Sequence, residues 1–205
     1  MFGFTKEEDA VFRSLRTPAK IQDFLNSIPI NFEHDGETVL SPRRVLHDRK
    51  AHCMEGAMFA ATALRFHGDR PFVVDLTATD DDDDHVIAVF RRQGCWGAIS
   101  KSNHAVLRYR EPIYKTIREL VVSYFHEYFM NHNGKKTLRS YSLPVDLSRF
   151  DKQGWMTADE DLWYIVDHLI EVPHTPILSR SQIASLRRAE PIERKAGNIL
   201  EWKKK

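Results

Sequence analysis

Cysteine is scarce, with only Cys53 and Cys95 in 205 residues. Two thiols exclude a disulfide scaffold and fall short of a thiolate-rich zinc pattern, and they fit a reduced, cytoplasmic setting. A charge imbalance is also lacking. The 30 Lys and Arg nearly cancel the 29 Asp and Glu, leaving a formal net charge of +1. The whole-molecule field therefore gives no reason to expect nucleic acid as a partner. No stretch approaches the ~20 apolar residues of a membrane helix, so no membrane association is expected. The opening MFGFTKEEDAVFRSLR has no basic start followed by an apolar run, and a secretory signal is not expected either. What is present is an ordinary globular composition, 42% hydrophobic and 29% charged, in a length that suits one domain with a substantial core.

Helix signals dominate the first third. Thr5 with Glu8 reads as a capping box opening a helix over 5–16. Thr17-Pro18 starts a second helix with Ile21, Phe24, Leu25 and Ile28 on one face. Residues 29–40 read as extended and irregular, with a turn at Asp35-Gly36. Ser41-Pro42 caps a short helix ending near Asp48. A helix over 52–66 follows, and its Cys53, Gly56, Ala57, Ala60 and Leu64 share one small-residue face. Three strands are expected next, over 71–77, 84–91 and 95–101, the last two joined through Arg92-Gln93-Gly94 as a hairpin. Beyond Glu111-Pro112 the pattern reads as mainly helical, over 114–130, 159–169 and 179–188. Tyr124, Phe125, Tyr128 and Phe129 have helical spacing and read as core.

Chemistry concentrates at Cys53 and His85. A cysteine in the first turn of a helix has its thiolate stabilised by free amide N–H groups and the helix dipole. A neighbouring imidazole takes the proton and holds the ion pair. His85 can do this if its strand packs on the small-residue face of the Cys53 helix. Other groupings are bland. His47, His52, Cys53 and His85 show no recognised ligand spacing, and Asp80 to Asp84 lack the alternation and glycine of a calcium loop. HEYFM lacks the second histidine of a metal helix. No metal and no cofactor are expected.

The stretch SPRRVLHDRKAHCMEGAMFAATALRFHG resembles the nucleophile region of transglutaminase-like proteins. DDDDHVIAVFRRQGCWGAISKSN resembles their second block, a histidine-bearing strand and a hairpin into a strand that opens with an aromatic and closes with an aspartate. The resemblance spans residues 41–103. It implies an α+β fold with a transglutaminase-like or papain-like core, in which a nucleophile helix packs on a small antiparallel sheet, with additional N- and C-terminal helices. It further implies one domain over 1–205, with a core at about 41–110 and a helical extension at about 112–205. Matched by position, Cys53 takes the nucleophile role and His85 the general-base role, while His52 and Trp96 flank the substrate cleft. Counting four residues from Trp96 gives Ser100 where the family has its aspartate. Papain-like relatives use asparagine in that role, so Asn103 and Ser100 are both candidates for the third group. The implied function is a cysteine-dependent amide hydrolase or acyltransferase acting on a peptide or amide. The alternatives are a non-catalytic member that binds a protein partner, and a redox-responsive thiol protein.

Overall fold

Four helix starts are written in side-chain caps. In the computed structural model, which describes residues 2–204, α1 (Lys6–Ser14) begins at the reciprocal Thr5–Glu8 capping box. Helices α2 (Pro18–Ser27) and α3 (Pro42–Asp48) begin on Thr17 and Ser41, each with proline in the first turn. Helix α4 (Cys53–Phe66) begins on His52, and Glu55 reaches back to the His52 N–H at 2.9 Å.

The strands follow as β1 (Phe72–Thr77), β2 (His85–Arg92), β3 (Cys95–Ile99) and β4 (Arg110–Tyr114). Gln93 and Gly94 close the β2–β3 hairpin, both at positive φ (50° and 79°), as a two-residue turn between twisted strands requires. After α5 (Ile117–Val122) come β5 (Ser140–Ser142), β6 (Val145–Asp146), α6 (Trp163–Glu171), β7 (His174–Pro176), α7 (Arg180–Ala184) and α8 (Pro191–Gly197). The sheet runs β4-β3-β2-β1-β5-β7, with β6 also on β1, and every pairing is antiparallel. The fold class is therefore α+β.

Both faces of the sheet are covered, which is why β1 and β2 read as near-continuous apolar runs. Val73, Val86, Ala88 and Phe90 pack with α1, α2 and α4. Val74, Leu76, Ile87 and Val89 pack with Leu120, Val121, Tyr124 and Tyr128 on the opposite face. Burying this much apolar surface, at ~25 cal/mol per Å², is the main stabilising contribution to the fold.

The C-terminal half differs from the helical extension expected. The 114–130 helix is replaced by β4, the short α5 and a 3₁₀ turn at Phe125–Glu127. The Thr116–Glu119 capping box starts α5 only at Ile117. Further on, Tyr124 and Tyr128 turn onto the sheet, their hydroxyls donating to the Arg108 and Asp83 carbonyls at 3.0 and 2.5 Å. Those contacts suit a bent chain and not a straight helix. The expected helix over 159–169 starts later, at Trp163, and that over 179–188 shortens to α7. Strands β5, β6 and β7 add to the central sheet from a region expected to be mainly helical.

Gly56 lets α4 approach the chain beyond β3. A Cβ there would lie 2.5 Å from Lys101 Cβ. Lys101 is itself pinned, its buried ammonium donating to the Leu25 and Ile28 carbonyls at 2.8 and 2.6 Å at the end of α2. Gly56→Ala is predicted to destabilise the protein by ~1–3 kcal/mol through overpacking, despite the ~1 kcal/mol helix-propensity gain. Urea unfolding checks this; a variant as stable as the parent contradicts the close approach.

Candidate active site

The start of α4 is fixed by a buried carboxylate. Glu55 has no exposed surface and accepts from the N–H groups of Leu40 and His52, the Thr38 hydroxyl and the Asn31 amide, at 2.9 to 3.2 Å. Donors from both sides compensate its desolvation, which would otherwise cost several kcal/mol. The same bonds tie residues 31–40 to the first turn of α4 and so define where Cys53 sits. The Cys53 N–H has no partner among the described residues.

Two imidazoles flank the half-buried Cys53. Burial pushes the thiol up, but hydrogen bonding and charge from His52 and then His85 outweigh it and hold the thiol well below its ordinary value. His52 meets two opposed demands. Its Nδ1 accepts from the Met54 N–H at 3.2 Å, while Nε2 lies 2.9 Å from the Thr38 carbonyl and 3.3 Å from Glu55 Oε1. That cap belongs to a neutral ring protonated at Nε2. Burial also favours the neutral ring, yet the Cys53 sulfur, Glu55 and the Thr38 carbonyl raise His52 to about 9. A proton on Nδ1 is incompatible with the Met54 bond, so the charged ring and this cap exclude one another.

His85, at the start of β2 and buried, is oriented from its far side. Its Nε2 lies 2.7 Å from Ser100 Oγ, and that hydroxyl donates to the Leu107 carbonyl at 2.5 Å. Because the Ser100 proton is spent on Leu107, Ser100 accepts and the His85 proton resides on Nε2. Nδ1 is then the nitrogen left for the thiol. Ser100 is only 1% exposed, and its backbone is clamped by Gln22 of α2. The Gln22 side chain accepts from the Ser100 N–H at 2.9 Å and donates to its carbonyl at 2.8 Å.

Asn103 takes no part in orienting His85. Its amide pairs with the Trp202 backbone, donating at 3.0 Å and accepting at 2.8 Å. The chain turns outward after Ser102, and Asn103 holds the C-terminal segment instead. That segment straps the 103–108 loop further, through Ala105 N–H on the Ile199 carbonyl at 2.9 Å and an Arg108–Glu201 ion pair at 2.9 Å. Trp96 lines neither cavity that reaches Cys53. It lies at the opposite end of β3 from Ser100, beside Arg91 and Phe72. The aspartate run is an exposed loop held at three points: Asp81 pairs with Lys135 at 2.7 Å, Asp82 accepts from the Thr137 hydroxyl, and Asp84 accepts from the Ala78 N–H at 2.7 Å.

Cys53 lies where two cavities meet. A larger one, of about 420 Å³, is shared with His85, Asn103 and Tyr128; a smaller one, of about 270 Å³, runs toward α6. Among the described residues, no group of three or more His, Cys, Asp or Glu side chains is arranged to hold a metal ion. No helix among them is long and apolar enough to cross a membrane. No protein-family model matches the chain, and no curated protein matches it.

Sequence reasoning overlooked Gln22, Glu55 and the C-terminal strap. Gln22 carried one signal, a polar residue next to Ile21 on the apolar face of α2. Ser100→Ala removes the acceptor of the His85 Nε2–H. Histidine-ring 15N NMR is predicted to give a single Nε2–H tautomer for neutral His85 in the parent and a mixture in the variant. A parent His85 protonated at Nδ1 would contradict the relay.

Proposed function

We propose that this chain is a cysteine-dependent amide hydrolase or acyltransferase of the transglutaminase-like type, with Cys53 as nucleophile and His85 as its proton-transfer partner. The observation that carries this reading is the relay behind the nucleophile. A helix-opening thiol faces an imidazole whose opposite nitrogen is held by Ser100, itself held by the Leu107 carbonyl. The antiparallel sheet packed on the nucleophile helix fits the same core.

In this reading the Cys53 thiolate attacks the carbonyl carbon of a peptide or amide, and the carbonyl oxygen takes up the negative charge. The free Cys53 N–H donates to that oxyanion. His85, carrying a second proton on Nδ1, donates it to the leaving amine as the C–N bond breaks, and a thioester remains. Neutral His85 then removes a proton from the incoming water or amine, whose attack releases the acid or a new amide and regenerates the thiolate. His52 is a second positive neighbour for the thiolate and lines both cavities. No cofactor enters the cycle, no nucleic acid is involved, and a reducing, cytoplasmic compartment suits the two free thiols.

One observation favours a second reading, a catalytically inactive relative that binds a protein partner. The third group is the neutral hydroxyl of Ser100, which stabilises an imidazolium less than a carboxylate does. A panel of peptide amides followed by intact-mass analysis separates the two. The enzyme reading predicts a thioester adduct on Cys53 and turnover that falls by at least ~10³-fold in Cys53→Ala, with the circular dichroism spectrum unchanged. Undiminished turnover in that variant would sink the assignment.

A further inference from the structure

Two walls of the larger cavity, the 103–108 loop and residues 129–132, are tied to the same stretch of chain near the C-terminus. The Gly197 carbonyl joins them at one atom, accepting from His104 Nδ1 at 2.6 Å and from the Asn131 amide at 3.3 Å. Only glycine fits there, since a Cβ would lie 2.5 Å from Asn131 Oδ1 and 3.1 Å from the Phe129 ring. Upstream, the Ala189 N–H donates to the Gly134 carbonyl at 2.8 Å and Arg194 Nε to the Asn131 carbonyl at 2.7 Å. Downstream, the Glu201 N–H donates to the Asn103 carbonyl at 2.8 Å, while the Asn103 amide and the Ala105 N–H hold Trp202 and Ile199. Hydrogen bonds and not apolar burial hold this stretch. Among residues 189–202 only Ala189 and Gly197 are buried, and Ile192, Ile199 and Leu200 lie exposed. A segment attached in this way opens at a lower free-energy cost than the sheet beneath it.

The loop under this segment is held in a strained form. Leu107 has a φ of 58°, a left-handed conformation that costs free energy in any residue with a bulky side chain. It persists because three contacts act on it together. Glu127 accepts from the Leu107 N–H at 2.9 Å, Ser100 Oγ donates to its carbonyl, and the C-terminal stretch holds its loop. With that stretch released, Leu107 gains free energy by leaving the left-handed region, and its carbonyl turns away from Ser100. The Ser100 proton is then free to point at His85, whose Nε2 no longer has to be the protonated nitrogen.

We propose that residues 189–202 form a releasable strap whose docking assembles the larger cavity and, through Asn103 and Leu107, fixes the His85 proton on Nε2, a role that rests on the reading of His85 as the proton-transfer partner of Cys53. Asn103 and Leu107 are positioning residues in this device, acting on His85 only through Ser100. With the strap docked, the imidazole presents Nδ1 to the thiol. With the strap released, the cavity walls part and the ring loses its fixed tautomer.

Amide hydrogen exchange of the full chain reads strap docking, and histidine-ring 15N NMR reads His85. In the parent, the Ala105, Glu201 and Trp202 amides are expected to exchange together, at least ~10²-fold faster than those of β1 and β2. Asn103→Ala, which removes two strap bonds, is expected to speed them about tenfold or more with the sheet amides unchanged. The same variant is expected to turn the single Nε2–H tautomer of neutral His85 into a mixture. It is also expected to raise the rate of Cys53 alkylation by a bulky maleimide relative to iodoacetamide. Gly197→Val, which undocks the strap without altering the 103–108 loop, is expected to reproduce all three changes. Arg13→Ala, which breaks an exposed ion pair within α1, is expected to produce none of them. Strap amides that exchange only with the sheet overturn the proposal. So does a strap released in either variant with His85 still wholly Nε2–H, or with the reagent ratio unchanged. An ordinary Cys53 alkylation midpoint with His85 still following the strap removes the enzyme reading alone; a lowered midpoint with His85 indifferent to the strap removes the strap proposal alone.

Discussion

The hydrogen bond from His85 Nε2–H to Ser100 Oγ gathers most of the architecture onto one atom. It fixes which ring nitrogen faces Cys53, and it exists only because the Ser100 proton is committed to the Leu107 carbonyl. The Leu107 carbonyl is in place because its loop is strapped by the C-terminal segment, through the bonds that Asn103, Ala105 and Arg108 make. The Ser100 backbone is in place because Gln22 grips it from α2. Each such bond contributes only ~1 kcal/mol net to stability, but together they remove the rotational freedom of one imidazole.

A balance at Cys53 decides whether that orientation has chemical value. Burial disfavours the thiolate, and the two imidazoles favour it by more. Their advantage depends on the low-dielectric setting that also imposes the penalty, since two unit charges ~4 Å apart in bulk water return only about 1 kcal/mol. Glu55 holds the α4 N-terminus in register for this, with its donors drawn from Asn31, Thr38, Leu40 and His52. The small residue at position 56 completes the arrangement by letting the helix sit against Lys101.

Elements fixed by short-range chemistry were legible in the sequence. The caps at Thr5, Thr17 and Ser41 involve residues three positions apart, so α1, α2 and α3 could be read directly. Strands β1, β2 and β3 could be read because burial on both faces leaves long apolar runs. Strands β5, β6 and β7 could not, since each is two or three residues long and is defined by the partner it meets. Position and residue type pointed to Cys53 and His85, and counting from Trp96 pointed to Ser100. Gln22 and the strap were hidden because their partners lie 78 and 99 residues away in the chain. Asn103 was misread because nothing local reveals that its amide pairs with Trp202. Trp96 was misread because a motif gives order along a strand and not which end of it faces the cleft.

The central claim is that His85 and Cys53 act as an activated pair. It is tested most directly by the rate of Cys53 alkylation as a function of pH, in the parent and in His85→Ala. The thiol is held well below its ordinary value, so the thiolate persists above that lowered midpoint and protonates only as the pH falls through it. The account predicts a parent midpoint well under the ~8.5 of an unperturbed cysteine and an upward shift in the variant. A parent midpoint at or above 8.5, or one that His85→Ala leaves unmoved, would contradict it.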